Sequence, residues 1–361
     1  MTFRRFVLAS TSIAALGLPL GFCASPAHGA DCRVIELQGN LGWISSATWV
    51  PSLSSVVVVN SFSSEVRAYS PDGSYFVPEN IELGSPEPVI GSIGKAGDGF
   101  LLRSLGDKFF RLRDTLAVRD AKDFSAFNLK TTTGIGSIYQ WSAGSTQVFA
   151  FGSLVKEGGG FDLGFFSTPI ENPAAARMVK PFERGDYYTL GNPYTVSLGA
   201  DFFFLLMGKE VHLYRQGKEG LPRDLGPLPK DFRSAPDFKT PMSGPSSAKA
   251  RFEEIETLSI PAGIYSQGGE LYLLARNPGR DNKTQWNLHR LDTNTGRVTG
   301  SVRLPTSSSH VTLVPSPDAW YVFERGRIIG PNQRQAITRM LSINAAAIRV
   351  MEMPKDCIVE R

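Results

Sequence analysis

The sequence predicts an all-β protein, a six-bladed β-propeller in which the N- and C-terminal strands together close the last blade. Three observations lead to this prediction. A pattern of short apolar strands and turn residues recurs six times, no helical segment of convincing length interrupts it, and Cys32 and Cys357 lie at its two ends. Repeats of about 40–50 residues with four strands each are typical of propeller blades.

Residues 1–30 have the layout of a secretory signal peptide. Arg4 and Arg5 form a basic start, an apolar stretch covers 6–22, and small residues follow as far as Ala30. This pattern predicts export to the periplasm or the cell exterior and removal of the leader. The arginine pair also loosely resembles a twin-arginine signal, so the export route stays open between the two systems.

The charge balance of the remaining chain is close to neutral. The leader contains Arg4 and Arg5 and no acid, so Lys plus Arg falls from 38 to 36 against 34 acids. A balance of this kind gives no support to a nucleic-acid partner. No later segment has the run of about 20 apolar residues that a membrane span needs. We therefore expect no nucleic-acid partner and no transmembrane segment.

The second strand of each repeat is its clearest marker. These strands are short, apolar and rich in β-branched and aromatic residues, and turn residues precede each one, which favours strands buried on both faces. They cover residues 56–59, 100–102, 148–151, 202–206, 271–274 and 320–323. Their first residues are 44, 48, 54, 69 and 49 positions apart (56, 100, 148, 202, 271, 320).

Further strands complete the predicted unit. An apolar segment precedes each marker, a third strand such as 109–112 follows a polar loop, and a fourth strand such as 81–83 ends the unit. Both ends of the chain, 32–37 and 349–354, have the character of fourth strands. They are therefore predicted to lie at the outer edge of the last blade.

The largest spacing, between the fourth and fifth markers, has a simple origin. Residues 230–256 are rich in Pro, Ser, Lys and Arg and show little periodicity, which predicts a long surface loop. The rest of 31–361 is expected to form one propeller. A pair of β-sandwiches is the competing fold, but it explains neither the regular spacing nor the paired ends.

Six such units, with phrases such as Val66-Arg67-Ala68-Tyr69-Ser70-Pro71-Asp72-Gly73, resemble the six-bladed propellers of the TolB-like and NHL-repeat group. The resemblance extends over residues 32–357. It implies the fold, but that group contains binding proteins, lactonases and scaffolds alike, so it does not imply one function.

Cys32 and Cys357 are predicted to form a disulfide bond. Both ends are expected at the outer edge of the last blade, where antiparallel strands would bring the two cysteines together. Export supplies the oxidising compartment that a disulfide requires. The remaining cysteine, Cys23, lies in the leader, and the bulky Phe22 before it argues against a lipid attachment site.

The sequence offers few candidates for catalysis. The three histidines beyond the leader have no His or Cys at ligand spacing, and neither a nucleophile elbow nor a phosphate-binding loop is present. Some exported six-bladed propellers are calcium-dependent lactonases, whose sites use Asn, Asp and Glu around the central channel. The candidates of that type are Asn60, Asp98, Asp201, Glu270 and Asp318. Four of them recur in one turn of the repeat, which turn chemistry alone explains.

The loops between second and third strands suggest a mildly basic face, with ten basic residues against six acidic ones. Solvated loop charge is the simple explanation, and a surface for carboxylate or phosphate groups is the functional one. The residues proposed for this anionic-ligand face are Arg103, Lys108, Arg276, Arg280, Arg325 and Arg327.

The sequence thus favours an exported propeller that serves as a binding platform rather than an enzyme, with no cofactor. Its partner would be a protein or a glycan, with anionic groups facing the basic loops. The alternative is an exported calcium-dependent hydrolase of the lactonase or esterase type.

Overall fold

The structure, a computed structural model, describes residues 31–78, 81, 89–105, 108–123, 134–156, 158–182, 194–207, 210–218, 220–229, 259–278, 284–325 and 337–357. The predicted signal peptide (1–30) and the predicted loop at 230–256 lie outside the described residues. Within the described part, 24 strands form six four-stranded antiparallel sheets, which are the six blades.

Each blade has one strand from each of four classes, ordered from the centre outwards. The first, innermost strands are β2 (Ser46–Val50), β6 (Ile90–Ala96), β10 (Gly134–Ala143), β14 (Thr195–Leu198), β18 (Ile260–Gln267) and β22 (His310–Pro315). The second strands are β3 (Ser55–Asn60), β7 (Gly99–Ser104), β11 (Gln147–Val155), β15 (Asp201–Met207), β19 (Glu270–Pro278) and β23 (Ala319–Arg325).

The outer half of each blade follows the same scheme. The third strands are β4 (Glu65–Tyr69), β8 (Lys108–Leu112), β12 (Phe161–Pro169), β16 (Val211–Gln216), β20 (Thr284–Leu291) and β24 (Ile337–Asn344). The fourth, outermost strands are β5 (Tyr75–Phe76), β9 (Val118–Asp123), β13 (Arg177–Pro181), β17 (Arg223–Pro227), β21 (Val298–Arg303) and β1 (Cys32–Leu41).

The blades form a closed ring, because each first strand lies beside the first strand of the next blade and β22 lies beside β2. The six marker segments predicted from the sequence all fall within second strands, whose apolar side chains are almost entirely buried. Phenylalanines fill the space between the third and fourth blades, where the ring centroids of Phe165 and Phe204 are 4.2 Å apart and those of Phe149 and Phe202 are 5.2 Å apart. The predicted fold class is confirmed.

The N-terminal strand completes the last blade. β1 pairs with β24 in antiparallel register, from Cys32 opposite Ile343 to Glu36 opposite Arg339. The last blade therefore takes three strands from the end of the chain and one from its beginning. This arrangement leaves no blade with a missing outer strand and closes the ring non-covalently.

The prediction that 349–354 forms a fourth strand is wrong. After β24 the chain forms the helix α1 (Ala345–Val350), whose first turn is capped by Asn344, since its side-chain oxygen accepts the backbone N–H of Ala346 at 2.8 Å. Met351 then takes a left-handed conformation that ends the helix. A second turn at Lys355–Cys357 brings Cys357 back to the start of β1.

Cys32 and Cys357 form a disulfide bond in the structure, with Cα atoms 4.9 Å apart and 325 positions between them in sequence. Both side chains are buried. The bond therefore joins the first residue of β1 to the turn after α1, rather than two paired strands.

A second correction concerns the first blade. The sequence predicts residues 81–83 as its fourth strand, but the outer strand is β5, which pairs Tyr75 with Tyr69 and Phe76 with Ala68. Ile81 lies outside any strand and packs against the core, and 82–83 lie outside the described residues. The Pro71-Asp72-Gly73 turn is tight enough for the chain to return into β5 directly.

The two faces of the ring differ in the connections that they carry. Because antiparallel strands alternate in direction, connections after first and third strands emerge on one face, which we call the clasp face, and those after second and fourth strands emerge on the other, the loop face. The described residues of the clasp-face connections are 51–54, 70–74, 97–98, 113–117, 144–146, 170–176, 199–200, 217–218, 220–222, 268–269, 292–297, 316–318 and 345–357. Those of the loop-face connections are 42–45, 61–64, 77–78, 81, 89, 105, 156, 158–160, 182, 194, 210, 228–229, 259 and 304–309.

Among the residues that the structure describes, no helix has the length and apolar character needed to cross a membrane.

Candidate functional site

Hydrogen bonds join neighbouring inner strands around most of the ring. The backbone N–H of Ile93 donates to the hydroxyl of Ser46 at 2.7 Å, and the indole N–H of Trp141 donates to the hydroxyl of Ser92 at 2.8 Å. Further round, Ser142 bonds Thr195, Ser266 bonds the carbonyl of Ser197, and Gln267 bonds the carbonyl of Ser316. Each of these five contacts links one blade to the next.

The remaining junction, between the last and first blades, has an aromatic contact instead. Trp49 of β2 stacks on Tyr321 of β23 with centroids 5.6 Å apart and an angle of 16° between the ring planes. The wall of the channel is thus held by small hydroxyl side chains and a few aromatic rings.

No aspartate or glutamate occurs in the six inner strands β2, β6, β10, β14, β18 and β22. Their charged or titratable side chains include Lys95 and His310, both exposed. A hard cation such as calcium takes oxygen ligands, usually with several carboxylates. These six strands therefore offer hydroxyl and carbonyl oxygens but no carboxylate.

The structure does not bring the five candidate calcium ligands together. Asp98, Asp201, Glu270 and Asp318 lie at the clasp-face turns between first and second strands, whereas Asn60 lies at the loop face. There its side-chain oxygen accepts the backbone N–H of Phe62 at 3.1 Å, which stabilises the turn between β3 and β4.

Two of the clasp-face acids have an evident structural partner. Asp201 forms an ion pair with Arg215 at 2.6 Å, and Glu270 forms one with Arg290 at 3.4 Å. In each case the arginine comes from the third strand of the same blade. These acids orient arginine side chains toward the next blade.

The histidines are held by groups of their own blades. Nδ1 of His212 lies 3.0 Å from Asp224, and its Nε2 lies 3.5 Å from Glu210. Nδ1 of His289 lies 2.7 Å from the hydroxyl of Ser301, and burial lowers the pKa of His289. In the described ranges no group of three or more His, Cys, Asp or Glu residues is placed to hold a metal ion.

Two tyrosines near the channel have strongly shifted pKa values. Burial raises the pKa of Tyr194 to about 12, and burial raises the pKa of Tyr265 on β18 as well, with Tyr194 adding to the effect. Burial therefore disfavours the phenolate form of both side chains.

The clasp face is a complete circle of contacts between blades. At each of the six junctions a side chain from one blade reaches the turn between third and fourth strands, or α1, of the next. The contacts are Ser52 to the Asp114 carbonyl (2.5 Å), Arg111 to Glu171, Arg177 to the Lys218 carbonyl (3.4 Å), Arg215 to Asn294 (3.1 Å), Arg290 to the Arg349 carbonyl (2.8 Å) and Arg33 to the Pro71 carbonyl (3.2 Å).

The loop face exposes large apolar side chains at a repeated position of the blades. Phe62, Leu105 and Phe161 are 65%, 56% and 62% exposed, and each lies between the second and third strands of its own blade or at the start of the third, in the first, second and third blades respectively. We call these three residues the apolar arc. They occupy similar places in three consecutive blades.

Each residue of the apolar arc contacts its own inner strand or the segment just before that strand. Phe62 makes an edge contact with Trp43, with ring centroids 5.8 Å apart. A Cβ placed on Gly91 would lie 3.1 Å from Leu105, and a Cβ placed on Gly136 would lie 2.8 Å from Phe161. The two glycines leave room for these side chains beside the mouth of the channel.

Gly91 and Gly136 also mark irregularities of the inner strands. The register of β6 shifts between Ile90 and Ser92, and that of β10 shifts between Ile135 and Ser137. β-bulges of this kind are common at rims and beside functional sites, where they redirect side chains. The sequence analysis did not predict these bulges. A signal for them is present, because the same four residues, Ile-Gly-Ser-Ile, occur at 90–93 and at 135–138.

The predicted anionic-ligand face is only partly described. Arg103 and Lys108 both lie in the second blade, on either side of Leu105, and Lys108 is exposed with its ammonium 5.3 Å from the centre of the Phe110 ring. Arg276 lies in the fifth blade, which is across a six-bladed ring from the second. Arg280, Arg327 and the side chain of Arg325 lie outside the described residues.

No protein-family model matches the chain, and no curated protein matches its sequence. Solved structures match at the level of fold. They include a gluconolactonase from Xanthomonas campestris (TM-score 0.49, 11% identity, 87% of this chain and 90% of that chain) and a protein of unknown function from Bacteroides thetaiotaomicron (0.47, 10%, 87% and 76%). A virginiamycin B lyase from Staphylococcus aureus matches with a TM-score of 0.43 and 10% identity, over 87% of this chain and 98% of that chain.

Likenesses with identities and TM-scores this low carry no argument about this chain, and one propeller fold supports many functions. The strand order of the described residues shows that the chain forms a six-bladed β-propeller. This is the architecture that its resemblance to the TolB-like and NHL-repeat group implies.

Proposed function

We propose that this chain is an exported, non-catalytic propeller that binds a partner bearing anionic groups through its loop face. The repeated exposure on the loop face carries the proposal. That face presents the apolar arc at similar places in three consecutive blades, together with the exposed Lys108. Rigid scaffolds commonly present recognition loops on one face in this way.

The arrangement of carboxylates supports binding over hydrolysis. The inner strands contain no acid, and Asp201 and Glu270 are paired with arginines on the clasp face. Burial raises the pKa of Tyr194 and Tyr265, which disfavours the phenolate form that a base would need. A calcium-dependent hydrolase would have to take its carboxylate ligands from outside the six inner strands.

Export is part of the same proposal. The Cys32–Cys357 bond is buried and joins the two ends of the ring, and such bonds persist in oxidising compartments. Cell fractionation with alkylation before lysis tests this directly. We expect the chain in the periplasm or medium with both cysteines blocked to alkylation, and a reduced chain in the cytosol would refute export.

Dextran sulfate, a soluble polyanion, is a suitable first probe of the loop face. We expect purified residues 31–361 to bind it with an affinity that falls as salt rises, because surface charges are screened. Lys108→Glu should weaken binding several-fold. Arg113→Glu, in the same blade but on the clasp face, is the matched control and should not. Equal losses in both variants would contradict recognition by the loop face.

The response of the protein to calcium distinguishes this proposal from the alternative of a calcium-dependent hydrolase. A ligand that binds only the folded state raises the melting temperature. We expect no rise in melting temperature on adding calcium and no hydrolysis of a panel of lactones and aryl esters. A rise that a chelator reverses, together with hydrolysis, would favour the enzyme instead.

A further inference from the structure

We propose that the apolar arc is the docking surface for a protein segment that carries apolar side chains flanked by acidic residues. This inference rests on the proposed function and names the class of partner for the loop face. It begins from an observation independent of charge, the exposure of Phe62, Leu105 and Phe161 at similar places in three consecutive blades.

The exposure of these residues is not a side effect of poor packing at the blade ends. Each arc residue touches its own inner strand or the segment before it, at Trp43, Gly91 or Gly136, so its position is defined while most of its surface stays in water. Three such side chains at similar places in consecutive blades offer separate anchors for one partner that lies across them. Phenylalanine is also among the aromatic residues that are enriched at protein interfaces.

The shape of the surface favours a protein over a small ligand. Sites for small molecules are concave and bury most of the ligand. The arc residues instead project outward, with 65%, 56% and 62% of their surfaces exposed. Projecting side chains are covered when a protein segment lies across them, as interface anchors are.

The charged residues near the arc indicate the charge of the partner that would fit it. Lys108 is exposed close to Leu105, at the start of β8. The acid Glu65 near Phe62 is already paired with Arg67 at 2.5 Å. A partner with Asp or Glu beside its apolar groups would therefore complement this region, and a second copy of the same face would be repelled by its own lysine.

Selection of peptides from a random phage-displayed library tests the inference with the purified chain. Wild-type residues 31–361 serve as the target, and the variant Phe62→Ser/Leu105→Ser/Phe161→Ser is used afterwards to sort the enriched peptides by whether they need the arc. We expect enriched peptides that combine aromatic or aliphatic residues with Asp or Glu. A synthetic peptide of this type should bind about tenfold more weakly for each arc residue removed.

Two further variants make the test specific. Lys108→Glu should weaken the same peptide several-fold, whereas Leu221→Ser should leave its affinity unchanged, since Leu221 is 87% exposed but lies on the clasp face. The single variants Phe62→Ser and Phe161→Ser are measured alongside the triple variant, with melting temperatures, so that a loss of folding is not mistaken for a loss of binding.

Each other outcome overturns the inference in a distinguishable way. Enrichment of basic peptides would refute the arc as the docking surface but not the loop face as a binding platform. The same holds for peptides whose affinity is unchanged by the triple variant but falls with Arg276→Glu. Peptides whose binding is lost only in Leu221→Ser would refute both. Binding of phosphatidylglycerol vesicles through the arc, without peptide enrichment, would assign the surface to a lipid instead.

Discussion

Arg33, on the strand that closes the ring, donates a hydrogen bond of 3.2 Å to the carbonyl oxygen of Pro71 in the first blade. The same turn is held a second time, since the N–H of Gln38 donates to the carbonyl of Gly73 at 2.9 Å. The closing strand therefore does more than complete the last blade. It also fastens that blade to the first one, at the junction where the ends of the chain meet.

The Pro71-Asp72-Gly73 turn gives the first prediction. Gly73 has φ +89°, and a Cβ placed there would clash with the carbonyl oxygen of Glu36. Gly73→Ala should cost about 2–4 kcal/mol of unfolding free energy, from backbone strain and from displacing β1. Urea unfolding measures the change.

Gly159→Ala provides the matched control for that substitution. Gly159 has φ +97°, but nothing lies within 4 Å of a Cβ placed there, so only the backbone strain applies. That strain should cost about 1 kcal/mol. Equal losses at the two positions would show that the contact between the turn and β1 adds nothing.

The disulfide gives the second prediction. Cys32→Ser should lower the unfolding free energy by about 2–5 kcal/mol, because the bond closes a loop of nearly the whole ring in the unfolded chain. Cys357→Ser and chemical reduction of the wild-type chain should produce the same loss, and the double variant no more. A wild-type chain whose urea midpoint is insensitive to reductant would contradict this.

The third prediction concerns the contacts between blades. Arg215 bonds Asp201 of its own blade and Asn294 of the next, so Arg215→Ala and Asn294→Ala should not be additive. A double-mutant cycle should give a coupling of about 0.5–1 kcal/mol, as expected for a partly exposed charge-assisted bond. The Lys156–Asp162 pair lies within one hairpin and is half exposed, so its coupling should be near zero.

His289 gives a prediction about pH. Burial lowers its pKa below the ordinary value, so the unfolded chain binds a proton at a higher pH than the folded chain does. Stability should therefore fall as pH drops through about 6.5 and below, until the folded-state pKa is passed. His289→Gln should remove this part of the pH dependence.

Unfolding curves measured at about pH 7.5 and about pH 5.5 for both chains provide the test. His310→Gln removes an exposed imidazole and serves as the control for the substitution. A wild-type chain and a His289→Gln chain with the same dependence on pH would contradict the prediction.

The sequence revealed the repeat because its second strands are buried on both faces and must therefore be continuously apolar. It was less informative at the edges. β5 has only two residues, both exposed, so Tyr75-Phe76 carried less pattern than the apolar Ile81 that follows it. A strand of that length is specified by its turn and its partner, rather than by its own composition.

The end of the chain shows the same limit. Six residues form α1, fewer than two turns, so no helical period was visible between Ala345 and Val350. The signals that decide it are local ones, the Asn344 cap and three consecutive alanines. The disulfide could still be anticipated, because the closure of the ring brings the ends together whatever structure leads to Cys357.

The candidate site was predictable only in outline. Loop charges such as Lys108 are visible in the sequence, but the exposure of Phe62 or Phe161 depends on how each hairpin turns at its blade. The repeated Ile-Gly-Ser-Ile was the one readable sign of the bulged inner strands. The sequence alone did not show that Gly91 and Gly136 lie beside the arc residues, which is what connects the repeated segment to the candidate site.

The position of the disulfide also determines on which face the propeller can be attached to another molecule through its ends. Asp31 and Cys357 both lie on the clasp face, at opposite sequence ends of the described chain and beside the same strand. A fusion partner or surface linker attached next to either residue would thus leave from the side away from the arc. The propeller can be anchored, labelled or immobilised by its ends with its loops directed outward, which makes orientation a built-in property of the closure.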